Sequence, residues 1–399
     1  MVSASRTPPF RAALAVAALI AWVFAPARAA APIETTARYA VIMDFETGEV
    51  LYEKNADAPT APASMSKLMT VAVTLEKLQK GEISLDDPFA VSKKAWKTGG
   101  SKMLVRVDTE IAVGNLLRGA IVQSGNDACV VLAENIAGSE DAFADLMNKK
   151  AREWGLDNSR FANATGLPDP EHLMSTRDLA ALASRIIREY GAYYPIFAER
   201  EFTWEKIRQE NRNPILKAFE GADGLKTGHT DESGYGLVAS ATRGEVRRIV
   251  VLNGLEDEKA RARESARMLR IAFDDFVDVD LFGAGDRVGE AQVFAGREKA
   301  TPLVVREPIS TILHRAQRND PRATIVYEGP LTAPVSAGDQ VGFLRVALNG
   351  ETLREAPVYA GDDVAAIGVV GRIVLAAKKL LLKPEHFDGY GDDAATPQE

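Results

Sequence analysis

The chain has 399 residues, of which 46% are hydrophobic and 26% charged, which is the composition of a globular protein at a length that predicts two or three domains. Its net charge of −8 provides no positive field to attract a nucleic-acid backbone, so a nucleic-acid partner is not expected. One cysteine, Cys129, and four histidines exclude an internal disulfide and leave no zinc-type cluster, so we expect no metal and no cofactor.

The first 29 residues are typical of a secretory signal peptide. Arg6 and Arg11 precede an apolar run over 12–25, and the small residues of Ala27-Arg28-Ala29 follow at the spacing that signal peptidase reads. The run is shorter than the roughly 20 residues of a membrane-spanning helix. An uncleaved N-terminal anchor is the alternative. We expect cleavage near Ala29 and a mature protein that works outside the cytoplasm.

Hydrophobic periodicity divides the mature chain into two domains. After Phe282 the helical period disappears, and short β-rich runs alternate with Gly and Pro turns to about Asp363. The sequence therefore predicts an α+β domain over 30–282 and a small all-β domain over 283–363. The elements expected in the first domain are a hairpin at 39–52, helices at 64–80, 113–137 and 140–154, strands within 202–254 and a helix at 258–277.

The segment 364–385 is predicted to form an amphipathic helix. Arg372, Lys379 and Lys383 fall on one narrow face at about 100° per residue, and most of the remaining surface is apolar. These cations disfavour a spanning helix, whereas a helix lying among lipid headgroups accommodates them. A helix packed on the small domain is the alternative, because anionic lipid would repel the acidic tail at 386–399, which we expect to be disordered.

The first motif that could carry out catalysis is Ser64-Met65-Ser66-Lys67, directly after a proline-marked turn at 59–62. Residues three apart share a helix face, so Ser64 Oγ and Lys67 Nζ can meet at the start of the helix. Free N–H groups and the helix dipole favour the negative charge that develops there during attack on a carbonyl. The motif suits a nucleophile with its base, although in isolation a capping serine and a solvated lysine would explain it better.

The second motif is Ser124-Gly125-Asn126, which interrupts an apolar helical surface. A hydroxyl and a carboxamide at this point could pass a proton and bind a substrate amide, and Gly125 would let the backbone approach closely. A plain turn between helices is the alternative. Cys129 lies one helical turn further on, and we interpret it as a small buried apolar residue rather than a catalytic thiol.

The third motif is Lys226-Thr227-Gly228-His229-Thr230, which precedes a predicted strand. A cation, two hydroxyls and a glycine that permits close contact suit an edge strand facing a cleft. Such an edge can pair with an extended peptide and hold its carboxylate. A second copy of the tripeptide, Lys97-Thr98-Gly99, lies between helical segments, and we assign it to a surface turn.

Taken together and in this order, the three motifs resemble those of penicillin-binding proteins and serine β-lactamases, and most closely those of the low-molecular-mass serine D-alanyl-D-alanine carboxypeptidases. The likeness covers residues 38 to about 383 and includes Asn163-Ala-Thr-Gly-Leu167, Thr176-Arg-Asp178 and Asn211-Arg-Asn213. It implies a β-lactamase/transpeptidase-like domain, with an antiparallel sheet flanked by helices and a helical subdomain.

The resemblance also implies a two-step acyl transfer. Ser64 would attack the peptide bond between the two terminal D-alanines of a cell-wall stem peptide, release the last one and pass the acyl group to water. Lys67 is implied as the base, and Lys226 as the cation that lowers its pKa. Ser124 would relay the proton to the leaving amine. β-Lactam antibiotics would acylate the same serine.

The resemblance implies binding roles for a further set of residues. Asn126 would hold the substrate amide, and the N–H groups of the nucleophile and of His229 would form the oxyanion hole. Thr227 and Arg261 would bind the terminal carboxylate, although Arg263 competes for that role and Arg261 could be an ordinary helix-surface charge. The residues implied to bind substrate are Asn126, Lys226, Thr227, Gly228, His229 and Arg261.

Two other classes of protein share parts of this pattern. A class A β-lactamase would need a glutamate within Glu-x-x-x-Asn, but Glu171, the only glutamate between Gly155 and Asp178, lacks that asparagine. A catalytically inactive wall-binding protein would not need the intact Ser64 and Lys67. The resemblance favours a periplasmic carboxypeptidase attached to the outer face of the cytoplasmic membrane by its C-terminal helix.

Overall fold

The computed structural model describes residues 33–381, so the predicted signal peptide at 1–29 and the predicted acidic tail at 386–399 lie outside the described residues. The first domain comprises β1 (Tyr39–Asp44), β2 (Val50–Lys54), α1 (Lys67–Gln79), β3 (Pro88–Ala90), α2 (Lys93–Lys97), β4 (Glu110–Ala112), α3 (Val113–Ile121), α4 (Asn126–Ala137), α5 (Glu140–Glu153), α6 (Thr176–Glu189), β5 (Glu201–Trp204), β6 (Ile207–Glu210), α7 (Ile215–Ala218), β7 (Ala222–Thr230), β8 (Gly234–Arg243), β9 (Val246–Leu255) and α8 (Glu258–Asp274).

The frame of the first domain is an antiparallel sheet in the order β2-β1-β9-β8-β7. Successive side chains of a strand point to opposite faces, and both faces of this sheet are covered. Val41 packs into the large helical core with Leu68, whereas its neighbour Ile42 packs against Leu269 of α8. Strand β7 forms one edge of the sheet, as expected for the third motif.

The helical subdomain differs from the sequence expectation at two places. The helix predicted at 64–80 begins with a 3₁₀ turn over Ala63–Ser66, and the regular helix starts at Lys67. The single helix predicted at 113–137 is two helices, α3 and α4, separated by residues 122–125. The break occurs because Ser124 has a φ of 63°, a left-handed conformation that cannot continue a right-handed helix.

The second domain is all-β, as predicted, but it begins at Phe276 rather than at the expected residue 283, because the strand that starts there pairs with a later strand of this domain. It comprises β10 (Phe276–Phe282), β11 (Arg287–Phe294), β12 (Ala300–Val304), β13 (Ile309–His314), β14 (Arg322–Tyr327), β15 (Leu331–Thr332), β16 (Gln340–Leu348) and β17 (Glu351–Ala360). Six strands form a sheet in the order β14-β16-β17-β12-β11-β15, and β10 pairs with β13. Leu303, Leu344 and Val346 lie in its apolar core.

The C-terminal helix, α9 (Val369–Leu381), begins five residues after the start of the helix predicted over 364–385, and residues 382–385 lie outside the described residues. Val364 is buried in the small domain and pairs with Val335, so the chain before 369 belongs to that domain. Val369 and Val370 are about three-quarters exposed, at 75% and 76%. Within residues 33–381, no helix combines the length and the apolar character needed to cross a membrane.

Candidate active site

The turn that begins α1 brings Ser64 and Lys67 together, as their spacing predicts. Lys67 Nζ donates a hydrogen bond to Ser64 Oγ at 2.8 Å, and the Lys67 side chain is fully buried. The loop containing Gly166 packs tightly against this turn. A Cβ at Gly166, whose φ is +74°, would lie 2.1 Å from the Ala63 carbonyl oxygen, so only glycine fits there.

The loop 163–167 supplies the second partner of the buried lysine. Lys67 Nζ also donates to the carbonyl oxygen of Thr165. Asn163 shapes the loop, because its Oδ1 accepts from the N–H groups of Thr165 at 3.0 Å and Gly166 at 2.8 Å. Thr70 anchors the loop to α1 by donating to the Ala164 carbonyl at 2.7 Å. The role of this segment was not predicted from the sequence, although an Asn–Thr–Gly cluster is typical of a side-chain-stabilised turn.

The electrostatic environment makes the protonated Lys67 a stronger acid than an ordinary lysine, so more of its amine is neutral near neutral pH. Burial is the main cause, and it lowers the pKa of Lys67 to about 8, helped by the Arg212 guanidinium and opposed by Cys129 and Asp127. Burial and repulsion by Lys67 also hold the pKa of Lys226 well below its usual range. The cation expected from the sequence to lower the pKa of Lys67 was Lys226, whereas the one that does so here is Arg212, which lies in Asn211-Arg-Asn213.

Edge strand β7 lies directly against the Ser64 turn. A Cβ at Gly228 would lie 2.8 Å from the Pro62 carbonyl oxygen and 3.0 Å from Met65 Cγ, so glycine is what allows the strand and the turn to touch. Lys226 is 2% exposed, and its Nζ donates to the Thr227 carbonyl at 3.1 Å. The third motif therefore lies beside the first, as predicted, and Thr227 is buried with it.

The break between α3 and α4 provides Ser124 and Asn126, both nearly buried. The backbone N–H of Asn126 donates to the Ser101 carbonyl at 2.7 Å, and its Nδ2 donates to the Gly99 carbonyl at 2.8 Å. The second motif is therefore bonded to the turn that carries the earlier Lys-Thr-Gly copy. That copy lies on the surface as expected, but it borders the site, which the sequence did not indicate.

A buried carboxylate that sequence reasoning missed holds this arrangement. Asp127 is fully buried, and its two carboxylate oxygens accept from the backbone N–H groups of residues 103–105, at 2.8 to 3.1 Å. Charge-assisted bonds of this kind are among the stronger hydrogen bonds in proteins. Asp127 thus fixes the loop 99–105 relative to Asn126.

Of the two candidate arginines, the structure places Arg261 beside β7. Arg261 is 5% exposed and pairs with Glu258 at 2.9 Å. Its guanidinium lies over the Tyr235 ring at 5.5 Å, and that ring stacks on His229 at 3.9 Å. Arg263 is exposed and lines a separate cleft with Arg38.

Two further residues considered in the sequence behave as interpreted there. Cys129 is fully buried, and burial raises the pKa of its thiol to about 11, which keeps it uncharged and unreactive at neutral pH. Glu171 forms an exposed ion pair with Arg160 at 3.0 Å. Within the described ranges, no group of His, Cys, Asp or Glu side chains could hold a metal ion.

The assembled arrangement is a hydroxyl in contact with a buried amine of lowered pKa, next to an edge strand. A neutral lysine can accept the hydroxyl proton, an edge strand can pair with an extended peptide, and N–H groups at a helix start can bind an oxyanion. The geometry therefore suits acyl transfer through a serine ester.

Comparison with known proteins gives the same result along nearly the whole chain. The family described as D-alanyl-D-alanine carboxypeptidase matches residues 25–256, and the family described as penicillin-binding protein 5, C-terminal domain, matches residues 276–366. D-alanyl-D-alanine carboxypeptidase DacF of Bacillus subtilis is 36% identical over 84% of this chain and 87% of its own length. DacC of Escherichia coli is 36% identical over 90% of this chain and 93% of its own.

Solved structures show the same similarity. The D-alanyl-D-alanine carboxypeptidase DacD from Francisella tularensis superposes with a TM-score of 0.77 and 31% identity, covering 84% of this chain and 95% of that one. Penicillin-binding protein 5 from Haemophilus influenzae gives 0.69 and 35%, covering 84% and 99%. Penicillin-binding protein D2 from Listeria monocytogenes, solved in its ampicillin-bound form, gives 0.57 and 28%, covering 61% and 100%.

Proposed function

The chain belongs to the D-alanyl-D-alanine carboxypeptidase family and is a serine-type carboxypeptidase that binds β-lactams, and on this premise we propose that Ser64 is the residue that becomes acylated. The substrate is a cell-wall stem peptide that ends in D-Ala-D-Ala. The hydrogen bond of 2.8 Å between Lys67 Nζ and Ser64 Oγ carries the assignment, because it joins a hydroxyl to an amine of lowered pKa.

Acylation proceeds by transfer of one proton and exchange of one bond. Neutral Lys67 takes the proton of Ser64 as Oγ bonds to the carbonyl carbon of the penultimate D-alanine. Ser124 then gives its hydroxyl proton to the amide nitrogen and takes up the proton held by Lys67, as the bond between that nitrogen and the carbonyl carbon breaks. The last D-alanine leaves as an amine, and Lys67 is neutral again. Water attacks the ester in the second step, which restores the Ser64 hydroxyl and releases the shortened peptide.

Strand β7 and its neighbours hold the substrate. The N–H groups of Ser64 and His229 bind the oxyanion, since Gly228 brings β7 against the Ser64 turn. Asn126 binds the amide on the acyl side. Thr227 and Arg261 bind the terminal carboxylate, and the burial of both side chains favours that contact because a low dielectric strengthens a charge-assisted bond.

The test is covalent labelling with a radioactive or fluorescent penicillin, followed by peptide mapping. We expect a stable adduct on Ser64 and none in Ser64→Ala. Ser66→Ala is the matched control, because Ser66 lies in the same turn but donates to the Ala63 carbonyl, and it should still be labelled. Label on any other residue, or no label in a folded wild-type protein, would refute the assigned nucleophile.

Rapid turnover of the drug ester would favour the alternative of a β-lactamase. The exposed ion pair of Glu171 with Arg160 supports slow deacylation, because it leaves that glutamate on the surface rather than beside Ser64. We therefore expect the penicillin adduct to persist for a time in which the uninhibited protein would complete many cycles of D-alanine release.

We also propose that the enzyme works in the periplasm, on the outer face of the cytoplasmic membrane, with α9 lying among lipid headgroups. The exposed Val369, Val370 and Ile373 support this attachment. Removing residues from Val369 onward should move the protein from the membrane pellet to the soluble fraction and retain carboxypeptidase activity. A full-length protein that is soluble at low salt would refute the attachment.

A further inference from the structure

A groove opens beside the active site between the turn Lys97-Thr98-Gly99 and the loop 163–167. We refer to it as the Lys97 groove, and its volume is about 450 Å³. Lys94 and Glu140 line it together with Leu167, which is 38% exposed. The mechanism described above uses neither Lys97 nor Leu167.

Both walls of the Lys97 groove are bonded to active-site side chains. The Gly99 carbonyl accepts from Asn126 Nδ2 at 2.8 Å, and the Thr165 carbonyl accepts from Lys67 Nζ. A carboxamide NH₂ has two hydrogens, so Asn126 keeps one N–H for a substrate carbonyl while the other holds the groove wall. The groove therefore begins where Asn126 binds the acyl part of the substrate.

The charges that line the Lys97 groove leave one cation without a partner. Glu140 pairs with Lys94 at 2.9 Å and also accepts from the Ala164 N–H. Lys97 forms no ion pair with any residue in the range 33–381. An exposed ammonium group next to the apolar Leu167 side chain fits a ligand with an aliphatic stem and an anionic end.

We propose that the Lys97 groove binds the side chain of the residue that precedes D-Ala-D-Ala, and that it selects an aliphatic side chain ending in a carboxylate. The inference rests on the proposed function, because it takes Asn126 as the group that holds the amide on the acyl side. The residue one position upstream then reaches the groove, where Lys97 pairs with its carboxylate and Leu167 packs against its methylene groups.

The test compares three N-acetylated tripeptides, X-D-Ala-D-Ala, in which X is 2-aminoadipate, its side-chain carboxamide or lysine. For the wild-type chain we expect kcat/KM to be about three- to fivefold higher for the carboxylate than for the carboxamide, as for a partly exposed ion pair, and lowest for lysine. In Lys97→Ala the ratio of carboxylate to carboxamide should fall to near one, and in Lys97→Glu the lysine peptide should become the better substrate.

The controls separate this subsite from the reaction itself. Lys93→Ala removes an exposed cation from the same short helix, and it should keep the wild-type ratio, while thermal denaturation checks that each variant is folded. D-Alanine release without preference among the three peptides, or an unchanged ratio in Lys97→Ala, would overturn the groove assignment alone. No release from any peptide would overturn the proposed function and this inference with it.

Discussion

The two domains differ in what they bury. The first buries charged side chains, among them Lys67, Lys226 and the ion pair of Asp44 with Arg248. In the small domain, within residues 276–366, the buried polar side chains are two threonines, Thr301 and Thr311. Because a buried charge costs several kcal/mol unless it is paired, the comparison indicates that the first domain accepts a stability cost for its chemistry, whereas the small domain buries no charged side chain within residues 276–366.

The test with the largest expected effect removes the buried base. Lys67→Ala should lower the rate of acylation by penicillin by about 10³-fold, within the range measured for loss of a general base, and leave the fold intact, because the alanine no longer carries a charge that must be buried. Stopped-flow or gel-based acylation measures the rate. Lys77→Ala, on the same helix but paired with Glu82, is the control, and an acylation rate in Lys67→Ala near that of the control would exclude Lys67 as the base.

The second test concerns a buried charge that is structural. Asp44→Asn should lower the free energy of unfolding by about 3–5 kcal/mol, since it leaves the Arg248 guanidinium buried without its carboxylate. The matched variant in the small domain is Glu355→Gln, whose pair with Arg345 is nearly half exposed and should be worth about 1 kcal/mol or less. Urea denaturation compares the two, and equal losses would mean that burial does not distinguish them.

The third test makes a cavity in the small domain. Leu344 is fully buried in its apolar core, and Leu344→Ala should lower stability by about 2–4 kcal/mol. D-Alanine release per folded molecule should not change, because the active site lies in the other domain. A large loss of kcat in folded Leu344→Ala would show that the small domain takes part in catalysis.

The fourth test concerns the buried Arg261. A substrate amidated at its C-terminus should lose about 1.5–3 kcal/mol of binding to Thr227 and Arg261, which is roughly a 10- to 150-fold drop in kcat/KM. Arg261→Ala should reduce this discrimination, whereas Arg263→Ala should keep it. A drop of less than about threefold in the wild-type chain would contradict the carboxylate clamp.

The smallest effect is the dependence of activity on pH. Because burial lowers the pKa of Lys67 to about 8, and the neutral amine is the base, kcat/KM should rise as pH rises through that value. The neutral fraction of such a group grows about fivefold from pH 7 to 8 and less than twofold from 8 to 9. A pH profile of D-alanine release checks this, and an activity that falls from pH 7 to 8 would contradict a lysine base.

Local patterns in the sequence predicted the main elements and the all-β domain, whereas the expectation that the three motifs form one site came from the resemblance to a known family. Three-residue spacing placed Ser64 against Lys67, and loss of the helical period after Phe282 predicted the all-β domain. These are local patterns, so a sequence displays them directly.

What the sequence did not reveal depends on contacts between distant segments. The Thr165 carbonyl accepts a hydrogen bond from Lys67, which lies 98 residues away in the chain. Asp127 accepts from the backbone N–H groups of residues 103–105, and such groups give no signal in the sequence because nearly every residue carries one. The role of Arg212 comes from its proximity to two buried lysines, and that proximity exists only in the folded chain. The break at Ser124 was visible as an interruption, but its left-handed backbone was not.

The pairing of β1 with β9 sets the order in which this enzyme can become active during synthesis. Strand β1 lies inside the sheet, yet its partner β9 follows roughly 200 residues later, with Val41 opposite Val251. A nascent chain therefore carries Ser64 and Lys67 long before the sheet that supports them can close. An incomplete first domain has no β7 edge against the Ser64 turn, so neither a peptide nor a drug can react until nearly the whole domain has emerged.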